Sequence, residues 1–353
     1  MLSALTIISF FLVGIVFLPL IKNNYWIFRS LEYPRAQKFV LCVVVLAGWG
    51  VFYLSTGVIN IYAVAALIIA TGFLTAKIYS YTIFSIKEVQ TVTSRNKANE
   101  IKVFSANVYQ DNTGYAALLT QIKAADPDVI FLLETDEKWE QGVKELEVNY
   151  PNTLKAPLSN TYGLLFYSRY ELSKAQVNYL VKNDIPSVEA LVHLPSGIKV
   201  QVWGLHPEPP VPGESLHTTA KDKELMLIAL KARDTKLPVI VMGDLNDVAW
   251  SYTTTLFEKV SKLLDVRKGR GFYSTFSAKH WFMRFPLDYI FCSAEFGLIN
   301  MKRLGKNGSD HFPIFTHLIY NKRLEHLQEA AHADHDDMKE VKEILDKEVE
   351  PES

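Results

Sequence analysis

Polar residues stand at the ends of apolar runs through the middle of this 353-residue chain. Asn107 follows Ile101-Lys102-Val103-Phe104-Ser105, and Glu134 ends Val129-Ile130-Phe131-Leu132-Leu133. His206 follows Val202-Trp203-Gly204-Leu205; Asp244 and Asn246 follow Pro238-Val239-Ile240-Val241-Met242-Gly243. Asp288 opens Tyr289-Ile290-Phe291, and Asp310-His311 lies between Gly308-Ser309 and Phe312-Pro313. A carboxylate or amide at the end of a buried strand is costly unless it is hydrogen-bonded or holds a cation. One such residue is ordinarily a cap or turn former. A whole series on successive elements is better explained by convergence on one pocket.

The residue types fit one chemistry. Glu134 is a hard oxygen ligand of the kind Mg²⁺ takes alongside substrate phosphate. His311 is the strongest acid/base candidate, and Asp288 is suited to orienting its imidazole. Asn107 and Asn246 are neutral donors for phosphate oxygens. No Cys/His spacing suits zinc, and a P-loop, a nucleophile elbow and a dinucleotide glycine motif are all absent from the sequence. Metal-assisted attack of water on phosphorus is the reaction this set predicts.

The elements that must position these residues are short. Apolar runs at 101–105, 129–133, 163–167, 188–192, 199–203, 239–241, 287–291 and 314–319 predict strands, and 115–125 and 221–231 predict helices. Many strands with interspersed helices predict a layered α/β domain.

These residues resemble the endonuclease/exonuclease/phosphatase superfamily over about residues 100–320. The resemblance rests on Asp126-Pro127-Asp128-Val129-Ile130 leading to Glu134, Gly243-Asp244-Leu245-Asn246, Leu287-Asp288-Tyr289-Ile290-Phe291 and Gly308-Ser309-Asp310-His311-Phe312-Pro313. It implies a four-layer α/β sandwich of two packed sheets with the site at one end. It also implies Mg²⁺, with Mn²⁺ as a substitute, on Glu134 with Asn107 and Asp310. Asp244 would orient the attacking water, and Asn246, with Asn107, would hold the phosphate. His311 would contact the scissile phosphate or act as base, with Asp288 behind it, and His206 would donate to phosphate or leaving group. One departure is Tyr109, where abasic-site endonucleases have an Asp; Asp111 lies two residues further on.

The N-terminal third has another composition. Residues 2–21 and 39–76 contain no charged side chain. A helix over 39–76 would be about 57 Å long, too long for one crossing of a hydrocarbon core of about 30 Å. Ser55-Thr56-Gly57 and Asn60 divide it. Three transmembrane helices are therefore expected, near 2–21, 39–55 and 58–76, in a membrane domain over 1–85. A linker over 86–99, the catalytic domain over 100–320 and an acidic tail over 321–353 follow.

Net charge is −1, but residues 1–99 carry +6 and residues 322–353 carry −6. The cations lie on one side of the expected spans, which predicts a cytoplasmic catalytic domain in the plasma (inner) membrane. The membrane-bound branch that the helices and His206-Pro207-Glu208-Pro209-Pro210 resemble, the glycopeptide-resistance phosphatases of lipid pyrophosphates, implies the opposite side. Cys42 and Cys292 are not expected to pair, and the tail is expected to be a solvated acidic helix.

The expectation is a membrane-anchored phosphoesterase acting on a phosphate ester or pyrophosphate, with a lipid-linked phosphate as one such substrate. Its partners would be the bilayer and the phosphorylated substrate, with no obligate protein partner. The alternative is a membrane-tethered nuclease using Arg267-Lys268-Gly269-Arg270 on nucleic-acid phosphates. That patch is small, and no domain has the cationic excess of a strong nucleic-acid binder.

Overall fold

A computed structural model describes residues 1–93 and 96–349. Positions 94 and 95 of the expected linker and the last four residues of the tail lie outside the described residues. The chain forms two compact units: Met1–Ile86 with Pro210–Thr218 and Gly269–Gly271, and Lys87–Pro209 with Thr219–Lys268 and Phe272–Ser353.

The first unit contains helices α1 (Leu2–Phe17), α2 (Trp26–Ser30), α3 (Arg35–Thr56) and α4 (Ile61–Ile78). Three segments are long and apolar enough to cross a membrane: Leu2–Leu20, Arg35–Thr56 and Ile61–Tyr81. The second starts four residues before the charge-free run. Arg35 pairs with Glu32 at 2.6 Å, and Lys38 donates to the carbonyls of Ile15 (2.6 Å) and Leu31 (2.7 Å), so the first turn satisfies its own charges. The third starts at Ile61 because Asn60 caps it by accepting from Ala63 N, after Gly57 at φ +69° has ended α3. Ala63, Leu67, Ala70 and Leu74 of α4 are fully buried against α1 and α3, where Trp49 Nε1 donates to Ser9 Oγ at 3.0 Å. The outward faces carry Ile7, Phe11, Val44, Leu54, Tyr62 and Ile69. An apolar outer face on a bundle with a packed interior is suited to lipid. Two segments from later in the chain belong to this unit through backbone hydrogen bonds. Trp26 N donates to Leu216 O, Thr218 N to Asn24 O, and Gly269 N to Ser80 O.

The second unit is an α/β sandwich of two packed six-stranded sheets. The first has the order β11 (Phe296–Arg303), β12 (Ile314–Tyr320), β1 (Glu100–Asn107), β2 (Val129–Leu133), β4 (Leu164–Ser168), β3 (Asn152–Ala156). The second has the order β5 (Leu172–Asn178), β6 (Ser187–His193), β7 (Lys199–Leu205), β8 (Val239–Asp244), β10 (Asp288–Cys292), β9 (Leu264–Asp265). Strand alternation sets the layers. Ile101, Val103, Val129, Phe131 and Leu133 enter the core between the sheets, which also takes Val188, Val202, Met242 and Ile290. Their neighbours Phe104, Ala106, Ile130 and Leu132 face a second core with α5 (Tyr115–Ala125) and Trp139 of α6 (Glu137–Gly142). On the other sheet, Phe257 of α8 (Tyr252–Ser261) packs on Phe291 with ring centroids 5.1 Å apart, and α7 (Thr219–Asp234) packs beside α8.

The acidic tail is not a free helix. Asp334 and Asp337 form a capping box for α9 (His335–Asp346), Lys259 pairs with Asp337 at 2.9 Å, and Val341 and Ile344 are buried. The amphipathic spacing wins over the net charge because the apolar stripe has a face to cover on the α7–α8 layer. Cys42 and Cys292 are both free and buried.

Helix α7 carries a buried acid with a measurable consequence. Burial, with Glu208 adding repulsion, pushes Glu224 up to about 8, and its Oε1 has no hydrogen-bond partner among the described residues. The folded state therefore holds a proton that the unfolded chain releases near its ordinary value of 4.5. Stability from this group is complete below that value and is lost as pH rises through about 8. Glu224→Gln should flatten the fall in melting temperature between pH 5 and 9. A variant melting with the same pH slope as the native protein would remove Glu224 as its source.

Candidate active site

The site forms where strand ends from both sheets meet. β1 and β2 run parallel with Asn107 opposite Leu133, so Asn107 and Glu134 leave neighbouring strands at the same end. Glu134 has φ +58°, a left-handed conformation that is costly for a side chain with a Cβ. The next residue pins it: Thr135 N donates to Gly163 O at 3.0 Å, and Thr135 O accepts from Leu158 N at 3.0 Å. In the other sheet β7 and β8 run parallel with Leu205 opposite Gly243, while β10 is antiparallel with Asp288 opposite Asp244. Gly243 has φ +133°, and a Cβ there would lie 2.0 Å from Leu205 O. Only glycine permits that approach, which brings the exits of β7 and β8 together.

His311 arrives on a loop stapled to β1. Ser309 Oγ donates to Asn107 O at 2.8 Å and accepts from His311 N at 2.9 Å. The imidazole then lies with Nδ1 2.9 Å from Asp288 Oδ2 and 3.5 Å from Asp244 Oδ2. Asn107 Nδ2 donates to Glu134 Oε1 at 2.6 Å and to Asp244 Oδ2 at 3.2 Å, and its Oδ1 accepts from Tyr109 N at 3.1 Å. Glu134, Asn107, Asp244, His311 and Asp288 are thus one continuous chain of polar contacts. Both protons of the Asn107 amide are committed to carboxylates. In this arrangement it aligns two acids and has no N–H left for the phosphate expected from the sequence.

The remaining expected residues occupy different positions. Asn246, at φ +48°, donates its N–H to Asp244 Oδ1 (2.9 Å) and one amide proton to Pro207 O (2.9 Å), tying the β8 exit to the His206 segment. His206 is buried, its ring 5.5 Å from that of Tyr162, and its Nδ1 has no hydrogen-bond partner among the described residues. Asp310 is half-buried, with Lys279 Nζ 4.0 Å from Oδ2 and the same ammonium 4.2 Å from the Tyr109 ring centroid.

Burial and charge set the protonation. Burial raises Glu134 to about 7; the Asn107 hydrogen bond and His311 oppose it, and Asp310 and Asp244 add to it. Asp244 is also raised, by burial first and Asp288 next, with His311 opposing. Burial alone would lower His311, but the carboxylates of Asp288, Asp244 and Asp310 outweigh it and carry the imidazole to about 10. Burial dominates at His206 and lowers it to about 4. At neutral pH the site therefore pairs an imidazolium at 311 with a neutral imidazole at 206.

One group of the described residues has the spacing of a cation site. Asp244, Asp288 and His311 offer ligand atoms all within 4.8 Å of one another. There, however, His311 Nδ1 is committed to Asp288, and a cation would displace that proton. Glu134, Asn107 Oδ1 and Asp310 are hard oxygen donors.

Sequence reasoning passed over three supporting residues. Ser309 staples the His311 loop. Thr275 Oγ1 accepts from Asp288 N at 3.1 Å. Lys221, buried between Asp247 (2.6 Å) and Asp222 (3.0 Å), anchors the turn after Asn246. Ser309 alone had a local signal, a hydroxyl two residues before a polar group in a turn. The expected basic patch is not a surface feature. Arg267 is fully buried on Asp265 with its guanidinium 3.9 Å from the Tyr289 ring centroid, and Lys268 is held by Glu88 and Glu258. Among the described residues, His326, His332 and His335 of the tail belong to no group of three or more residues with metal-ligand spacing.

A two-sheet α/β sandwich with an Asp–His pair and hard-ligand carboxylates at one end defines a phosphoester hydrolase class. The profile of the endonuclease/exonuclease/phosphatase family matches residues 104–311, and the chain belongs to that family. No curated protein matches it. Among solved structures it is similar to D. rerio TDP2 complexed with single-strand DNA product, at 19% identity and TM-score 0.53 over 62% of this chain and 98% of that one. A Bacteroides thetaiotaomicron endonuclease/exonuclease/phosphatase family protein gives 17%, 0.52, 63% and 98%, and the human Nocturnin catalytic domain with bound sulfate gives 18%, 0.51, 65% and 97%. At these identities the likeness shows the fold.

Proposed function

We propose that this chain is a membrane-anchored, divalent-metal-dependent phosphoesterase that hydrolyses a lipid-linked phosphate ester or pyrophosphate by attack of water. The observation that carries the reading is the Asn107 amide, which joins Glu134 and Asp244 across the two sheets. Glu134, with Asn107 Oδ1 and Asp310, would hold the cation, Mg²⁺ or Mn²⁺. When bound, that cation supplies charge to the phosphoryl oxygens. Asp244 orients the water and takes its proton. His311, kept charged by Asp288, meets the developing negative charge on phosphorus-bound oxygen. Asn246 and the neutral His206 donate to the remaining oxygens. The apolar helices of the N-terminal unit support a substrate met at the bilayer, in the plasma (inner) membrane.

The test is a substrate panel of DNA, a soluble phosphodiester, a phospholipid and an isoprenoid pyrophosphate, run on the full-length protein with Mg²⁺ or EDTA. Turnover that EDTA abolishes, fastest on the lipid-linked substrate, is the expected result. Undiminished turnover in EDTA would end the metal reading, and DNA as best substrate would replace lipid by nucleic acid.

A further inference from the structure

Residues 275–285 form a narrow hairpin-like loop with a polar base and an apolar tip. Thr275 N and Phe276 N donate to Phe285 O (3.1 and 3.0 Å), Phe285 N donates back to Phe276 O, and Ser277 N donates to Met283 O (3.0 Å). The base is stitched to the candidate active site. Thr275 Oγ1 accepts from Asp288 N, the Phe276 ring centroid lies 5.0 Å from that of His311, and Ala278 N donates to Asp310 O at 2.6 Å. The tip is different. Trp281, Phe282 and Met283 are 79%, 54% and 47% exposed, with the Trp281 and Phe282 rings edge to face at 5.9 Å. Cations flank them: Lys279 at the Asp310 carboxylate, and Arg284 with its guanidinium 5.3 Å from the Phe312 ring centroid.

Three consecutive large apolar side chains on an exposed turn are unfavourable in water unless something covers them. Their chemistry selects the cover. A Trp with apolar neighbours, edged by Lys and Arg, matches the headgroup level of a bilayer, where the ring is amphipathic and the cations meet lipid phosphate. The same chain carries three segments able to span a membrane, so a bilayer is present at high effective concentration. We infer that the 279–284 tip docks on the lipid–water interface, with Trp281, Phe282 and Met283 below the headgroups and Lys279 and Arg284 among the phosphates. Because the base contacts Asp288, His311 and Asp310, docking holds the mouth of the site at the membrane surface and favours an amphiphilic phosphate. That last consequence rests on the proposed hydrolase activity; the docking does not.

Two measurements test it on full-length protein in phosphatidylcholine/phosphatidylglycerol nanodiscs. In the first, a nitroxide is placed at Met283→Cys; Cys42 and Cys292 are buried and leave the label selective. Collisions with oxygen should exceed those with a water-soluble nickel chelate, and the order should reverse at Lys123→Cys, an exposed site elsewhere. In the second, Trp281→Ser/Phe282→Ser/Met283→Ser should lower kcat/KM on an amphiphilic phosphoester at least tenfold. On a soluble phosphodiester it should stay within twofold of the native value. A label at 283 that collides like the one at 123 would overturn the docking, as would equal losses on both substrates. If the native protein hydrolyses neither substrate, the proposed activity falls while the label still reads the docking.

Discussion

Glu134→Gln should lower phosphodiester turnover by roughly 10²–10³-fold, the loss expected when about 3–4 kcal/mol of metal-borne charge stabilisation is removed. The substitution keeps the shape and leaves an oxygen to accept from Asn107 at the distance now 2.6 Å, so the two acids stay aligned and the fold is retained. What it removes is the negative charge. Burial already drives that carboxyl to about 7, so the position exerts its charge only when a cation offsets the desolvation. The readout independent of catalysis is metal binding. Mg²⁺ should raise the melting temperature of the native protein by mass action and leave that of Glu134→Gln unchanged. Equal Mn²⁺ affinity in the two proteins would remove Glu134 from the metal site.

Asp288→Asn should cost about 10²–10³-fold, the loss expected when a preorganised charge facing a developing oxyanion is removed. Asp288 is the partner of His311 at 2.9 Å and the largest of the three influences that carry the imidazole to about 10 against its burial. An imidazole raised in this way is charged below its folded value and loses the proton above it. Native activity should therefore hold through neutral pH and decline only toward pH 10. With the charge of Asp288 gone, burial regains weight, and the decline should move down toward neutral pH. His311→Ala should lower the rate similarly without producing that displaced limb. An Asp288→Asn enzyme with native rate and pH profile would show that the pair is structural.

The legible part of this protein was local. Glu134, Asp244, Asp288 and His311 each stand at the end of an apolar run, and a period-2 strand with a polar terminus can be read without knowing its neighbours. Lys268 and Arg267 could not be read that way. As a four-residue run they resemble solvated charge, and only the packing of Glu88, Glu258, Asp265 and Tyr289 around them makes them interior ion pairs. The tail misled in the opposite sense: its net charge of −6 outweighed a short apolar stripe until the α7–α8 layer supplied a surface for Val341 and Ile344.

By itself the amino-acid order determined which segments seek lipid and which polar residues end the strands, because hydrophobic runs and strand termini are set by neighbours in the chain. Tertiary structure decided what those residues do to one another. Asn107 reaches Glu134 across 27 positions and Asp244 across 137, and it becomes a spacer between two acids only when the sheets face each other. The protonation of His311 and Glu134 was decided there too, since desolvation and Coulomb coupling depend on what surrounds a group in space rather than along the chain.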